Sequence, residues 1–195
     1  MIKIAISGKA GTGKSTFTDL LIKKYIEKYK NQNYKSLAFA DPLKEIAKIM
    51  APDITDNCLY GPSEFRKTIV KSLSIHKEIT VRELLNKIGT DFGRSLNPTI
   101  WIDVFNENVL RFQKEYENEQ SLLIVSDVRY ENEMKYVINN GFYTIKIERT
   151  TDYNINHSSE TEQEHFGDFF RKKILNNKNL EYLENQANLI INNLT

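Results

Sequence analysis

The chain has 195 residues and a mass of 22.7 kDa, with 27 basic and 26 acidic side chains and a net charge of +1. That length fits one domain, or one domain with a sizeable insertion, and an apolar fraction of 40% excludes a disordered chain. The balanced charge excludes a global polyanion binder, so any anion site must be local, and the single cysteine, Cys58, excludes an internal disulfide framework or a Cys-based zinc cage and points to a reducing compartment.

Ile2–Ile6 reads as a buried strand that runs into a Gly-rich turn. Ser15 to Lys30 then carries Phe17, Leu20, Leu21, Lys24 and Tyr25 at helical spacing. A second strand is expected at Ser36–Ala40, closed by Asp41-Pro42, with Asp41 as N-cap of the next helix and Pro42 at its first position. Two prolines and a glycine make residues 51–62 a loop. Residues 63–117 read as wholly helical, with a capping box at Thr80–Glu83, a fresh start at Asn97-Pro98 and one apolar face of Trp101, Val104, Phe105, Val109 and Phe112. Leu122–Val125 is the third strand, followed by Ser126-Asp127 and a helix from Arg129 to Asn139 that Gly141 stops. Phe142–Ile147 is the fourth strand, 149–158 a polar loop, Ser159–Glu162 a further capping box, Arg171–Leu175 a fifth strand and Leu180–Ile191 the closing helix.

Strands alternating with helices imply an α/β fold with a five-stranded parallel sheet covered on both faces. About 80 residues separate the second and third strands, far more than a crossover needs, so a helical module at about 42–118 is expected to serve substrate recognition. No 18-residue apolar run and no secretory leader are visible, and a cytoplasmic location is expected. The asparagine runs Asn176-Asn177-Lys178-Asn179 and Asn192-Asn193 fit an AT-rich genome and are given no chemical weight.

Gly8-Lys9-Ala10-Gly11-Thr12-Gly13-Lys14-Ser15 matches G-x-x-x-x-G-K-[ST] in full, with a strand before it and a helix after it. The glycines open backbone angles closed to other residues, so that N–H groups can turn inward around a phosphate, and the helix adds its positive end. Lys14 reaches the β- and γ-phosphates of a nucleoside triphosphate, the Ser15 hydroxyl is a Mg²⁺ ligand, and Thr16 completes the cradle. Asp127, just past an apolar strand, takes the second metal-side position, a role compatible with capping the following helix. Val128 stands where many hydrolases place a water-activating Glu, and Asn86-Lys87-Ile88-Gly89 lacks the Asp of a guanine-reading motif. Transfer of the γ-phosphoryl group to an acceptor other than water is what remains.

A phosphate acceptor needs cations around both anions. Arg66, Arg82 and Arg94 lie in the helical insertion, Arg129 two residues past Asp127, and Arg149 at the start of a short lid, about 149–160. Each could instead be a solvated helix-face charge. Arg94, flanked by Gly89 and Gly93, suits either close backbone approach to a ligand or an ordinary helix end. His157 is a candidate lid contact; it has no metal-ligand spacing with His165, and Cys58 has no His partner.

These blocks together resemble the deoxynucleoside monophosphate kinases of bacteriophages over roughly residues 1–190. The matching blocks are the phosphate loop, Ala40-Asp41-Pro42-Leu43-Lys44-Glu45, Arg82 to Arg94, Asn97-Pro98-Thr99-Ile100-Trp101, Ser126-Asp127-Val128-Arg129-Tyr130-Glu131-Asn132-Glu133 and His157-Ser158-Ser159-Glu160. Asn86 and Tyr130 are mild departures, where the family often has Gln and Phe. The resemblance implies a P-loop kinase fold of the nucleoside monophosphate kinase type. It implies ATP- and Mg²⁺-dependent phosphorylation of a deoxynucleoside monophosphate to its diphosphate, in host cytoplasm if the gene is a phage's. It places Asp41, Lys44, Arg82 and Arg94 near the acceptor, and Arg129 and Arg149 with Lys14 on the transferring phosphates; Arg66, Trp101 and Glu160 are further candidates for the acceptor side. Partners are then nucleotides, with no nucleic acid polymer and no membrane, and a homodimer stays open. A phosphomevalonate kinase, which shares the loop, the Pro-Leu-Lys block and Asp-x-Arg, stays open too, as does a nucleotide-gated switch with little turnover. A polynucleotide 5′-kinase would want a basic channel that the charge balance does not suggest.

Overall fold

Five strands form one all-parallel sheet in the computed structural model, which describes residues 1–149, 166–167 and 169–194. They are β1 (Ile2–Ser7), β2 (Tyr34–Leu37), β3 (Leu122–Val125), β4 (Tyr143–Glu148) and β5 (Lys172–Leu175), in the order β2-β3-β1-β4-β5. In register, Ile4 faces Ile124 on one side and Tyr143 on the other. The pleat therefore sends Ile2, Ile4 and Ile6 with Leu122, Ile124, Ile145, Ile147 and Ile174 to one face. There they meet Phe17, Leu20, Leu21 and Tyr25 of α1 (Lys14–Tyr29) and Leu183, Ala187, Ile190 and Ile191 of the closing helix, α7 (Leu180–Asn193). The alternate set, Ala5, Leu123, Val125 and Thr144, is equally buried. The helix α6 (Glu131–Asn139) packs against β4 and buries Met134 and Val137 outside that first cluster. The chain thus buries both faces of a central β1, as an all-parallel sheet requires.

Two compact units divide the chain: Met1–Ala38 with Asn106–Thr195, which holds the sheet, and Phe39–Phe105. The second unit contains α2 (Asp41–Met50), α3 (Asp56–Tyr60), two single 3₁₀ turns (Ser63–Lys67 and Lys71–Leu73), α4 (Val81–Asn86), a π-helical stretch (Lys87–Arg94) and the first residues of α5 (Ile100–Glu115). Its core is Leu43, Ala47, Ile54, Leu59, Val70, Val81, Leu84, Ile88 and Trp101, among others. It is shorter than the 42–118 stretch read from sequence because α5 beyond Phe105 groups with the sheet.

Several expectations need correction. Residues 63–117 are not wholly helical. Val70 N–H donates to Ile79 O (2.8 Å) and Val81 N–H to Thr68 O (3.0 Å), so an extended pairing interrupts the stretch. The loop 51–62 contains the short helix α3. The second strand lies at Tyr34–Leu37 and not 36–40, because Phe39 leaves the sheet and stacks on Phe105, ring centroids 4.2 Å apart. The N-cap of α2 is Ala40, so Asp41 is a first-turn residue. The capping box at Thr80–Glu83 forms, with Glu83 N–H donating to Thr80 Oγ1 and Thr80 N–H to Glu83 Oε2. The box at Ser159–Glu162, and the lid beyond Arg149 with His157 and Glu160, lie outside the described residues.

Candidate functional site

β1 delivers the chain into the Gly8–Ser15 turn at the carboxyl edge of the sheet. Gly8 sits so close to β4 that a Cβ there would overlap Ile147 O and lie 2.9 Å from Thr12 Oγ1. Gly11 and Gly13 have φ of +77° and +96°, a region L side chains rarely adopt. Thr12 folds into the turn, its hydroxyl donating to Lys9 O at 2.9 Å. The Lys14 ammonium donates to Gly8 O at 2.6 Å and Lys9 O at 2.8 Å, which holds a positive charge on the loop instead of letting it trail into solvent. α1 starts at Lys14 and carries no acidic residue in its first turn, whereas α2, α4, α6 and α7 each carry one or two. Its positive end is therefore not neutralised from within the helix.

The metal-side candidate lies alongside. β1 and β3 are neighbours with Ala5 opposite Val125, so Ser7 and Asp127 come level two residues on. The Ser7 hydroxyl then donates to Val128 O at 2.8 Å, tying the start of the phosphate loop to the Asp127 segment. The next two amides, Arg129 N–H (2.8 Å) and Tyr130 N–H (3.1 Å), both donate to the Glu133 carboxylate, which is 2% exposed. Glu133 thus sets the turn that carries Arg129. At the end of β4, Arg149 joins Gly8, Lys9, Thr12, Lys146, Ile147 and Glu148 around a cavity of about 280 Å³. Two of these lining residues, Lys146 and Glu148, form an ion pair at 2.7 Å. Lys14, Ser15, Asp127, Arg129 and Arg149 all belong to the sheet unit.

Asp41, Lys44, Arg66, Arg82, Arg94 and Trp101 belong to the second unit. Lys44 Nζ is 2.9 Å from the Asp41 carboxylate and 4.6 Å from the centroid of the Tyr60 ring. Burial, then the 2.5 Å bond its hydroxyl donates to Glu45, pushes the Tyr60 phenol well above its ordinary value, so it stays a neutral donor. Arg66 donates to Leu59 O (3.2 Å), and Arg82 donates to Ser63 O (3.2 Å) at the head of the turn that carries Arg66. Arg94 donates to Pro98 O (3.3 Å). Trp101 lies in the core of this unit: it is 5% exposed and its indole N–H donates to Gly89 O at 2.8 Å. The flanking glycines serve the same packing. A Cβ at Gly93 would overlap the Trp101 ring and one at Gly89 would overlap Leu43 Cδ2, so they make room for side chains of this core.

A family profile described as deoxynucleotide monophosphate kinase matches residues 35–187. The chain belongs to the deoxynucleotide monophosphate kinase family. A protein of Acanthamoeba polyphaga mimivirus to which that activity is ascribed is 29% identical over 157 residues, 76% of this chain and 75% of its own. The dephospho-CoA kinase of Campylobacter jejuni is 14% identical, with a TM-score of 0.45 over 98% of this chain and 96% of its own. As a deoxynucleotide monophosphate kinase family member, the chain is a nucleotide kinase. The family match begins after the phosphate loop, so the loop's assignment stands on its own strand–turn–helix geometry. No helix among the described residues is long and apolar enough to cross a membrane.

The sequence reading missed three residues that shape this kinase's loops: Ser7, Glu133 and Asn176. A Glu placed three residues past a helix entry is a capping-type signal, so Glu133 could have been flagged. Asn176, dismissed as composition, donates from its buried side chain to Thr12 O at 2.8 Å. Its partner is 164 residues away in the chain, and no local pattern announces it.

Proposed function

We propose that the chain transfers the γ-phosphoryl group of ATP to the phosphate of a deoxynucleoside monophosphate, giving ADP and the deoxynucleoside diphosphate. The observation that carries this is the Gly8–Ser15 turn, closed on itself by Lys14 at the un-neutralised head of α1, in a chain of this kinase family. An oxygen of the acceptor phosphate forms a bond to the γ-phosphorus as the bond from that phosphorus to the β,γ-bridging oxygen breaks, and the bridging oxygen leaves on ADP. The attacking oxygen is already anionic, so no strong general base is required. The work is positioning and charge stabilisation.

Lys14 exchanges its two loop carbonyls for the β- and γ-phosphates, a short displacement because both carbonyls belong to the loop itself. Backbone N–H groups of Lys9 to Thr16 cradle the triphosphate. Arg149 shares a cavity with Gly8 and Lys9 and is assigned, with Arg129, to the transferring group. Asp41, Lys44, Arg82 and Arg94 are assigned to the acceptor, as the family resemblance implies, together with Arg66 of the same unit, and Trp101 is not. A Mg²⁺ ion fits the donor set: the Ser15 hydroxyl and the Asp127 carboxylate are oxygen ligands, and the Ser7–Val128 bond ties the segments that carry them. When bound, such an ion neutralises charge on the nucleotide phosphates.

A coupled ADP-release assay with ATP and Mg²⁺ tests the reading. The acceptor panel is deoxy- and ribonucleoside monophosphates, phosphomevalonate and a 5′-hydroxyl oligonucleotide. Turnover with deoxynucleoside monophosphates is expected. Turnover confined to another acceptor, or none with any, contradicts it.

A further inference from the structure

We propose that Asn176 is a positioning residue for the phosphate loop, fixing from β5 the peptide that presents the Gly13 N–H to the triphosphate. It rests on the nucleotide role proposed for that loop. β5 ends at Leu175, and the Asn176 N–H donates to Glu148 O at 2.7 Å, one step beyond the last β4–β5 pair, Glu148 with Leu175. The ladder thus fixes the Asn176 backbone. From there the carboxamide, in a residue only 7% exposed, donates to Thr12 O at 2.8 Å. The Thr12–Gly13 peptide is trans, so its C=O and N–H point in opposite directions. Holding the carbonyl on Asn176 turns the Gly13 N–H to the other side of the loop, away from β5. Gly13 answers the same constraint from the other partner: a Cβ there would overlap Asn176 Nδ2, so the missing side chain makes room for the carboxamide as well as permitting φ +96°. Asn176 touches no reacting atom in this account; it acts through the loop.

The chemistry of the contact sets the test. The contact needs a donor, and Asn supplies one at any pH. In Asn176→Asp the ionised carboxylate faces the Thr12 carbonyl without a proton, and the peptide loses its reason to hold that orientation. Burial against the Thr12 carbonyl raises that carboxyl above its ordinary value of about 3.9, so protonation within the range tested restores one donor. Losing the hydrogen bond is expected to weaken ATP binding about tenfold to one-hundredfold. The KM for the deoxynucleoside monophosphate should stay within about twofold.

The experiment measures ATP binding by calorimetry and both KM values for the full chain, wild type, Asn176→Asp and Asn176→Ala, from pH of about 8 to about 5. The expected result is weaker ATP binding in both variants with the acceptor KM unchanged, and recovery on acidification in Asn176→Asp alone, relative to wild type. If Asn176→Asp does not fold, the KM split in Asn176→Ala carries the test. Wild type that fails to bind ATP overturns the nucleotide reading of the loop. Wild type that binds ATP, with folded variants that bind it equally or lose both substrates alike, overturns the positioning role and leaves that reading standing.

Discussion

Replacing Trp101 separates a core residue from a base-stacking one. Its ring is 5% exposed, Gly93 is bare to admit it, and its N–H is committed to Gly89 O. A tryptophan buries about 150–250 Å². At about 25 cal/mol per Å², deleting it removes at most about 4–6 kcal/mol, and Trp→Ala changes in cores typically cost about 3–5 kcal/mol. Trp101→Phe keeps most of the apolar contact but withdraws the donor from Gly89 O, so about 1–3 kcal/mol is expected. With a urea slope of about 2 kcal/mol per M, Trp101→Ala should lower the unfolding midpoint by roughly 1.5–2.5 M. Far-UV circular dichroism is the signal to follow, because Trp101 is the chain's one tryptophan. In the wild type its fluorescence reports the unfolding of the second unit. An Ala variant with an unchanged midpoint and an acceptor KM raised tenfold would refute the core assignment and restore the base-stacking one.

Three further outcomes are expected. Lys14→Ala should abolish phosphoryl transfer while circular dichroism and the thermal midpoint stay close to wild type, since Lys14 donates to carbonyls of its own loop, Gly8 O and Lys9 O; retained turnover in the folded variant would sink that assignment. Glu133→Ala leaves the Arg129 and Tyr130 amides without their acceptor, at about 1–3 kcal/mol of stability in chemical denaturation, and should lower kcat more than the unaffected-loop variant Glu184→Gln does. Glu184 on α7 pairs with Lys24 and Lys23 of α1 at 2.8 and 2.9 Å, and those lysines hold its carboxyl at about 2 against an ordinary 4.5. A depressed carboxylate stabilises the folded chain above its unfolded value and loses that contribution as pH falls through the folded one. Glu184→Gln should therefore melt below wild type at neutral pH, with the gap closing between pH of about 4.5 and about 2; a gap that widens on acidification would contradict the pairing.

What could be read from the sequence is what local pattern specifies. β1, its Gly turn and α1 announce themselves because the apolar run, the glycines and the helical spacing all act within a few residues. β3 was legible to the residue, since four consecutive buried side chains between polar flanks leave no other register. Residues 63–80 were not legible. Their apolar spacing fits a helix, yet Thr68 and Val70 pair with Ile79 and Val81 across a loop that spacing cannot see. Gly89 and Gly93 suggested backbone approach to a ligand, and only the packed Trp101 and Leu43 show what approaches. Asp41 looked like a cap, but Ala40 takes that position and Lys44 takes its carboxylate. Asn176 matters only because β5 lies beside β4 and β4 beside the phosphate loop, which is topology and not composition.

The most direct test of the central claim is the fate of a label on the γ-phosphate of ATP. Purified chain, Mg²⁺, γ-labelled ATP and a deoxynucleoside monophosphate are mixed, and the nucleotides are separated. The account predicts label in the β-position of the deoxynucleoside diphosphate, in step with ADP formed and absent in Lys14→Ala. Label released as inorganic phosphate, or retained in ATP with every deoxynucleoside monophosphate tried, would contradict it.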